Sequence, residues 1–144
     1  MFKRIFVPTD GSELSDRAVA LAVGLAVPLG ATIQTLCVRQ PFPYSAVAEP
    51  QPAPPPEFFT AQEEAATRHV QAVLDACAAA GVAAEATMVD AAQPWEAIVS
   101  HAAAHDCDLL VMGSHGRSGL ASLLLGSETE DVIKHTTIPV LVVR

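Results

Sequence analysis

Short apolar runs alternate along this chain with stretches in which apolar residues recur every three or four positions. The run from Arg4 to Pro8 carries Ile5, Phe6 and Val7 and ends in Thr9-Asp10-Gly11. A β-branched and aromatic run closed by turn residues predicts a strand followed by a tight turn. Leu14, Ala18, Leu21, Ala22, Leu25 and Leu29 then recur at helical spacing. Ser12 is placed to cap that helix, with Pro28 and Gly30 to end it. Ala31 to Val38 predicts a second strand.

The segment from Pro41 to Pro56 holds seven of the chain's eleven prolines. Proline lacks an N–H, so this stretch is expected to be an extended loop acting as a spacer. A second helix is expected from Phe58 to Ala80, with Phe59, Ala66, Val70, Val73, Leu74 and Cys77 on its buried side and Gly81 at its end. Ala83 to Val89 predicts a third strand. Pro94 opens a further helix whose buried face is Trp95, Ile98, Val99 and Ala102, and Asp108 to Met112 reads as a central strand. A helix from Ser127 to His135 and a strand from Ile138 to Val143 close the pattern. This rhythm predicts an α/β fold of three layers, with helices on both faces of a five-stranded parallel sheet built by right-handed crossovers. Ligands in such sheets bind beyond the strand carboxyl ends, where the winding direction reverses. The loops after the first and fourth strands both lie at that edge.

Composition narrows the picture. The 144 residues suit one domain, 1–144, and 51% are hydrophobic but only 5% aromatic, so the core must be built from Ala, Val, Leu and Ile. A net charge of −8 repels nucleic acid and anionic lipid, and neither is expected as a partner. A phosphate-bearing ligand would therefore need a local site made of backbone N–H groups. Cys37, Cys77 and Cys107 form no CxxC pair and are odd in number. They read as reduced, buried small hydrophobes, which points to the cytoplasm. No apolar stretch is long enough to span a bilayer, and the opening run is too short for a signal peptide.

The densest chemical signal is the stretch from Gly113 to Ser127, in which Gly113, Gly116, Gly126 and Ser127 stand at G-x2-G-x9-G-S spacing. Gly113 ends a buried strand, and Ser127 with Glu130 matches a capping box that opens a helix. A glycine turn feeding a helix N-terminus presents unpaired N–H groups and the positive end of a dipole, which is a phosphate site.

Taken with Ile5-Phe-Val-Pro-Thr-Asp-Gly-Ser12, Asp108-Leu-Leu-Val-Met-Gly113 and Ile138-Pro-Val-Leu-Val-Val143, this motif resembles the universal stress protein family in its ATP-binding branch. The resemblance covers essentially the whole chain. It implies the adenine nucleotide alpha hydrolase-like sheet order 3-2-1-4-5, a homodimer, and an adenine nucleotide between the first and fourth strands. Carried onto this chain, it implies that Asp10 holds the ribose hydroxyls while Pro8 and Thr9 shape the wall. Val38 would offer its backbone to adenine, and Met112 would pack near the base or sugar. Gly113, Gly116, Gly126, Ser127 and the Glu128 amide would surround the phosphates, with Thr129 at the same helix end and Ser114 and His115 also among the nucleotide-binding residues. An Arg117 guanidinium there could neutralise phosphate charge. The ligand would be ATP, ADP or AMP. The family commonly has a small or apolar residue where this chain has Glu128, whose carboxylate is expected to compete with a polyphosphate for the same N–H groups. Mg²⁺ or Mn²⁺ accompanying the nucleotide would reconcile those charges.

Other constellations are set aside. His101 and His105 are four apart with Asp106 and Asp108 nearby, but no third metal ligand is evident, and a solvated helix end is expected. Ser114 before His115 falls short of a nucleophile elbow, since Met112 is too large and adjacent residues make poor base–nucleophile geometry. Three readings remain: a nucleotide-binding stress or signalling module with little turnover, a slow ATPase or autokinase, and a ligand-free dimeric interaction protein. The absence of an evident general base favours the first. The dimer would form through the last strand, 138–143, an apolar sheet edge that invites pairing.

Overall fold

Strict alternation along the central strands decides which helices cover which face of the sheet. The computed structural model describes residues 1–41, 55–116 and 125–144. In chain order its elements are β1 (Arg4–Pro8), α1 (Glu13–Leu29), β2 (Thr32–Arg39), α2 (Pro56–Ala79), β3 (Ala84–Asp90), α3 (Pro94–Ala104), β4 (Leu109–Gly113), α4 (Ser127–His135) and β5 (Val140–Val143). The sheet is five-stranded in the order β3-β2-β1-β4-β5, with parallel pairing throughout.

Ile5 and Val7 of β1, Ile33 of β2, and Leu109 and Val111 of β4 point to one face, where Ala18, Val19, Ala22 and Ala26 of α1 and Val73 and Cys77 of α2 bury them. Phe6, Leu36, Leu110 and Met112 point to the other face, beneath Ile98 and Ala102 of α3 and Val132 of α4. Period-two strands covered on both sides give the three layers that the sequence pattern predicts. Among the described residues no helix is long and apolar enough to cross a membrane. All three cysteines are buried. Burial raises the Cys77 thiol, and it pushes Cys107 up to about 11, so both stay protonated at neutral pH.

The helix boundaries refine the expectations. Ser12 does cap α1, accepting the Ser15 N–H at 3.2 Å. Pro28 lies inside the last turn of α1, and Gly30 alone, at φ 62°, turns the chain away. The buried stripe of α1 is Ser15, Ala18, Val19, Ala22 and Ala26, whereas Leu21 is 40% exposed. Small residues occupy the line of closest approach to the sheet, and the leucines fall to either side of it. On α2, Ala66, Val70, Val73 and Cys77 are buried, but Phe59 is 54% exposed because its turn lies outward of Gln62, at the level where β2 has already ended. Most of the expected Pro41–Pro56 loop lies outside the described residues; Pro55 and Pro56 supply the N-cap and first residue of α2. The capping box expected at Ser127 does not form. Gly126 is the N-cap of α4, its carbonyl accepting the Glu130 N–H at 3.0 Å, and Ser127 is the first helical residue.

The pair at the end of α3 is not a solvated helix end. His101 is buried, its ring 4.8 Å from Phe6 and stacked on His105 at 3.9 Å, and its Nε2 has no hydrogen-bond partner among the described residues. Burial, and secondarily the adjacent His105, lower its pKa from 6.5 to about 4. Between those values the unfolded chain binds a proton that the folded chain does not. The stability tied to the neutral imidazole is therefore complete above about pH 6.5 and is lost as pH falls toward 4. His101→Phe should flatten this acid-side decline by up to about 3 kcal/mol. Urea unfolding at pH 7 and at mildly acid pH reads the difference, and an unaltered decline in the variant would place its source elsewhere.

Candidate functional site

The last β1 residue paired with β2 is Pro8, opposite Leu36, and the Thr9 N–H donates to the Leu36 carbonyl at 2.9 Å. Strand β2 continues past this point to Arg39. Alternate residues of a strand direct their backbone groups to the same side. The N–H and C=O of Val38 thus face the side of β1, beyond the point where β1 has turned off. A cavity of about 430 Å³ opens there, bounded by the carboxyl ends of β1, β2 and β4, by α2 on one side and by the starts of α3 and α4 on the other.

The turn after β1 is held by its own side chains. Asp10 Oδ1 accepts the Ser12 N–H at 2.9 Å, and Thr9 Oγ1 accepts the Gly11 N–H at 3.3 Å. Gly11 has φ 75°, and a Cβ there would run into the His69 imidazole. Glycine is therefore required twice over, by conformation and by contact. Gly116 faces this turn from the other loop, and a Cβ at 116 would lie 2.6 Å from Asp10 Oδ2.

The far wall is built by the loop after β4. Ser114 is fixed on both sides, its N–H donating to the Val143 carbonyl at 2.7 Å and its carbonyl accepting the Gly126 N–H at 2.8 Å. A Cβ at Gly126 would sit 3.2 Å from main-chain atoms of Ser114 and His115. The motif glycines thus let the two ends of the loop close against each other and against Asp10. Thr129 spends its hydroxyl on the Gly113 carbonyl at 3.0 Å, which ties the first turn of α4 to the end of β4.

Of the residues expected at the site, Pro8, Thr9, Asp10, Val38, Met112, Gly113, His115, Gly116, Gly126, Ser127, Glu128 and Thr129 all line this one cavity. Ser114 does not. It is 3% exposed and sits beneath the lining, its Oγ 3.0 Å from His115 Nδ1. Adjacent serine and histidine side chains do reach each other here, contrary to expectation, but the hydroxyl is turned into the protein. Arg117 lies outside the described residues.

The Glu128 carboxylate also departs from expectation. Its Oε2 accepts the Trp95 N–H at 2.7 Å, so the charge is directed onto the start of α3. Sequence reasoning missed the opposite wall. Gln62, Ala65, Ala66 and His69 of α2 line the cavity, Gln62 donating to the Gln40 carbonyl at 2.7 Å, and Arg39 lines it while paired with Asp90 at 2.8 Å. One signal was available: positions 62 and 69 continue the side of Ala66, Val70, Val73 and Cys77 toward the helix start but are polar. Among the described residues no three or more His, Cys, Asp or Glu side chains are grouped to hold a metal.

Doubly wound sheet, reversal of winding between β1 and β4, and a glycine-bordered cavity at that point define a doubly wound α/β protein with a crevice at its topological switch point. Comparison with known proteins gives the family. The family model described as universal stress protein family matches residues 1–144. A universal stress protein of Thermus aquaticus is 34% identical over 148 residues, covering 100% of both chains. The solved structure of the protein MJ0577 superimposes with a TM-score of 0.77 at 27% identity, covering 99% of this chain and 96% of that one. That of a universal stress protein in complex with cAMP gives 0.71 at 30% identity, covering 99% and 97%. The chain belongs to the universal stress protein family.

Two glycines test how the cavity turn is built. Gly11→Ala should destabilise the fold by about 2 kcal/mol, from a left-handed φ and the His69 contact together. Gly24→Ala, in the body of α1 with no atom within 4 Å of the added Cβ, should instead stabilise it by about 0.5–1 kcal/mol. Urea midpoints of both variants measure this, and equal effects would mean that the turn imposes no special demand at Gly11.

Proposed function

We propose that this chain binds an adenine nucleotide in the cavity at its strand carboxyl ends and acts as a stress-response or signalling module with little turnover. The observation that carries this reading is convergence. A carboxylate on a fixed turn (Asp10), a backbone donor–acceptor pair beyond the end of β1 (Val38) and the N-terminal amides of α4 all border one cavity. They suit ribose hydroxyls, a base edge and phosphate oxygens respectively. The cAMP complex of a family member at 30% identity supports the same ligand class.

Asp10 accepts from the ribose, Met112 packs against the sugar or base, and Gly113, Gly116, Gly126, Ser127 and the Glu128 amide take the phosphates. ATP, ADP and AMP all meet these requirements. A companion Mg²⁺ or Mn²⁺ would be carried chiefly by the nucleotide's own phosphates, because the Glu128 carboxylate is engaged at Trp95. Three buried cysteines with no CxxC pair agree with a cytoplasmic setting. The 1–144 chain acts as one domain and pairs with a second copy through β5. That strand ends the sheet and leaves Leu141 37% exposed.

Calorimetry with ATP, ADP, AMP, cAMP and GTP, with and without Mg²⁺, should register the adenine compounds and not GTP; no heat from any of them would sink the reading. Gly116→Ala pushes on Asp10 Oδ2 and should weaken adenosine and AMP alike by about tenfold. Steady-state turnover of ATP should stay below about 1 s⁻¹, the low end of ordinary enzymes. For the assembly, light scattering should find a dimer at micromolar concentration and a monomer for Leu141→Lys. A monomeric unsubstituted protein would refute pairing through β5.

A further inference from the structure

Helix α3 begins without a cap of its own. Gln93 occupies its N-cap position and makes no side-chain cap bond, and Pro94, the first helical residue, has no N–H to offer. The first N–H of the helix therefore belongs to Trp95, and Glu128 of α4 receives it at 2.7 Å. A carboxylate at that point complements both the donor and the positive end of the α3 dipole. The bond joins residues 33 apart in sequence, and it is one of two grips that α4 has on Trp95. His135 lies seven residues beyond Glu128, on the same side of the helix, and its ring stacks on the indole at 4.2 Å with the planes 25° apart. One face of α4 thus holds the first turn of α3 by its main chain and by its side chain.

The start of α4 has no side-chain cap either. Gly126 cannot supply one, and the first turn of that helix, Ser127 to Thr129, borders the cavity with no side-chain cap among the described residues. Their position is set by Gly126, whose N–H is held by the Ser114 carbonyl, by Thr129, bonded to the end of β4, and by Glu128, bonded to α3. Pro94 and Ile98 of α3 also line the cavity, so the two helices that meet at Glu128 form one continuous wall.

We propose that Glu128 is a positioning residue for phosphate recognition: its carboxylate fastens α4 to α3, and in doing so holds the α4 amides where the phosphate binds. This rests on the nucleotide reading given above. The same bond draws the negative charge off the phosphate path, which removes the competition expected from the sequence. A hydrogen-bonding side chain long enough to reach Trp95 is required, and its charge is secondary.

The test compares Glu128→Gln, Glu128→Asp and Glu128→Val for AMP and adenosine binding by calorimetry in EDTA. Emission of Trp95, the only tryptophan, reports the clasp independently. Gln keeps the acceptor and the reach, so its AMP affinity should stay within about threefold, whereas Asp and Val should lose about tenfold on AMP and under about twofold on adenosine. Trp95 emission should shift in the Asp and Val variants and not in Gln. Tighter AMP binding in both Gln and Val would overturn the proposal in favour of charge repulsion. An AMP-to-adenosine ratio unchanged in all three would overturn it in favour of a role in stability alone. Gln and Asp carry the comparison if Val does not fold. Failure of the unsubstituted protein to bind either compound would remove the nucleotide reading itself, and the positioning role with it.

Discussion

Strand β1 ends before its neighbour does, and the site is built in the gap that this leaves. Beyond Thr9 the chain leaves the sheet on the α1 side, while beyond Gly113 the chain from β4 leads on to α4, which covers the opposite face. Two adjacent strands whose continuations part in this way cannot close the space between them. The backbone of β2 past Leu36, the Asp10 turn and the start of α4 are consequently brought to one opening by topology, with no side chain having to hold it open. The glycines follow from the same constraint. Two loops that converge on the gap must approach each other closely, and Gly11, Gly113, Gly116 and Gly126 stand where a Cβ would meet the facing residue.

Much of this was legible in the amino-acid pattern because it depends on local chemistry. Apolar runs ended by turn residues located all five strands, and the G-x2-G-x9-G-S spacing located the loop that closes the far wall. Sheet order came from family resemblance, since neither periodicity nor spacing reports which strand lies beside which. The errors share a cause. Leu21 is exposed and Ala22 buried because the distance between helix and sheet favours small side chains at the contact line, which a hydrophobicity pattern cannot express. His101 resembled a surface residue beside His105, yet Phe6 from a strand almost a hundred positions away covers it. Gln62, His69 and Arg39 reach the cavity only through the packing of α2 on β2. The partner of Glu128 lies on another helix, so its orientation could be known only from the fold.

Charge in the cavity is balanced locally despite the acidic chain as a whole. Arg39 is matched by Asp90, Asp10 is anchored by the Ser12 N–H, and the Glu128 carboxylate is spent on α3. Beside polar side chains such as Gln62, His69 and His115, the lining includes main chain: the Val38 edge and the start of α4. Main-chain groups are set by fold geometry and do not titrate near neutral pH. Such groups discriminate by hydrogen-bond pattern more than by net charge.

The opposite edge of the sheet is organised in the reverse sense. There one carboxylate, Asp108, accepts the N–H groups of Lys3 and Arg4 at 2.8 and 3.1 Å, and the Arg4 guanidinium donates to the His105 carbonyl at 2.6 Å. Lys3 in turn receives the Thr32 N–H at 2.9 Å, so β1, β2 and the start of β4 are laced together at the end away from the cavity. Structural duty and recognition are thereby assigned to different ends of the same strands. Lineages descending from such a chain have freedom to vary the loops at one rim and so alter what is bound, while the laced rim keeps the inherited scaffold intact. Drift at Asp108 has less latitude, because its carboxylate receives the Lys3 and Arg4 N–H groups and so ties the start of β1 to the start of β4.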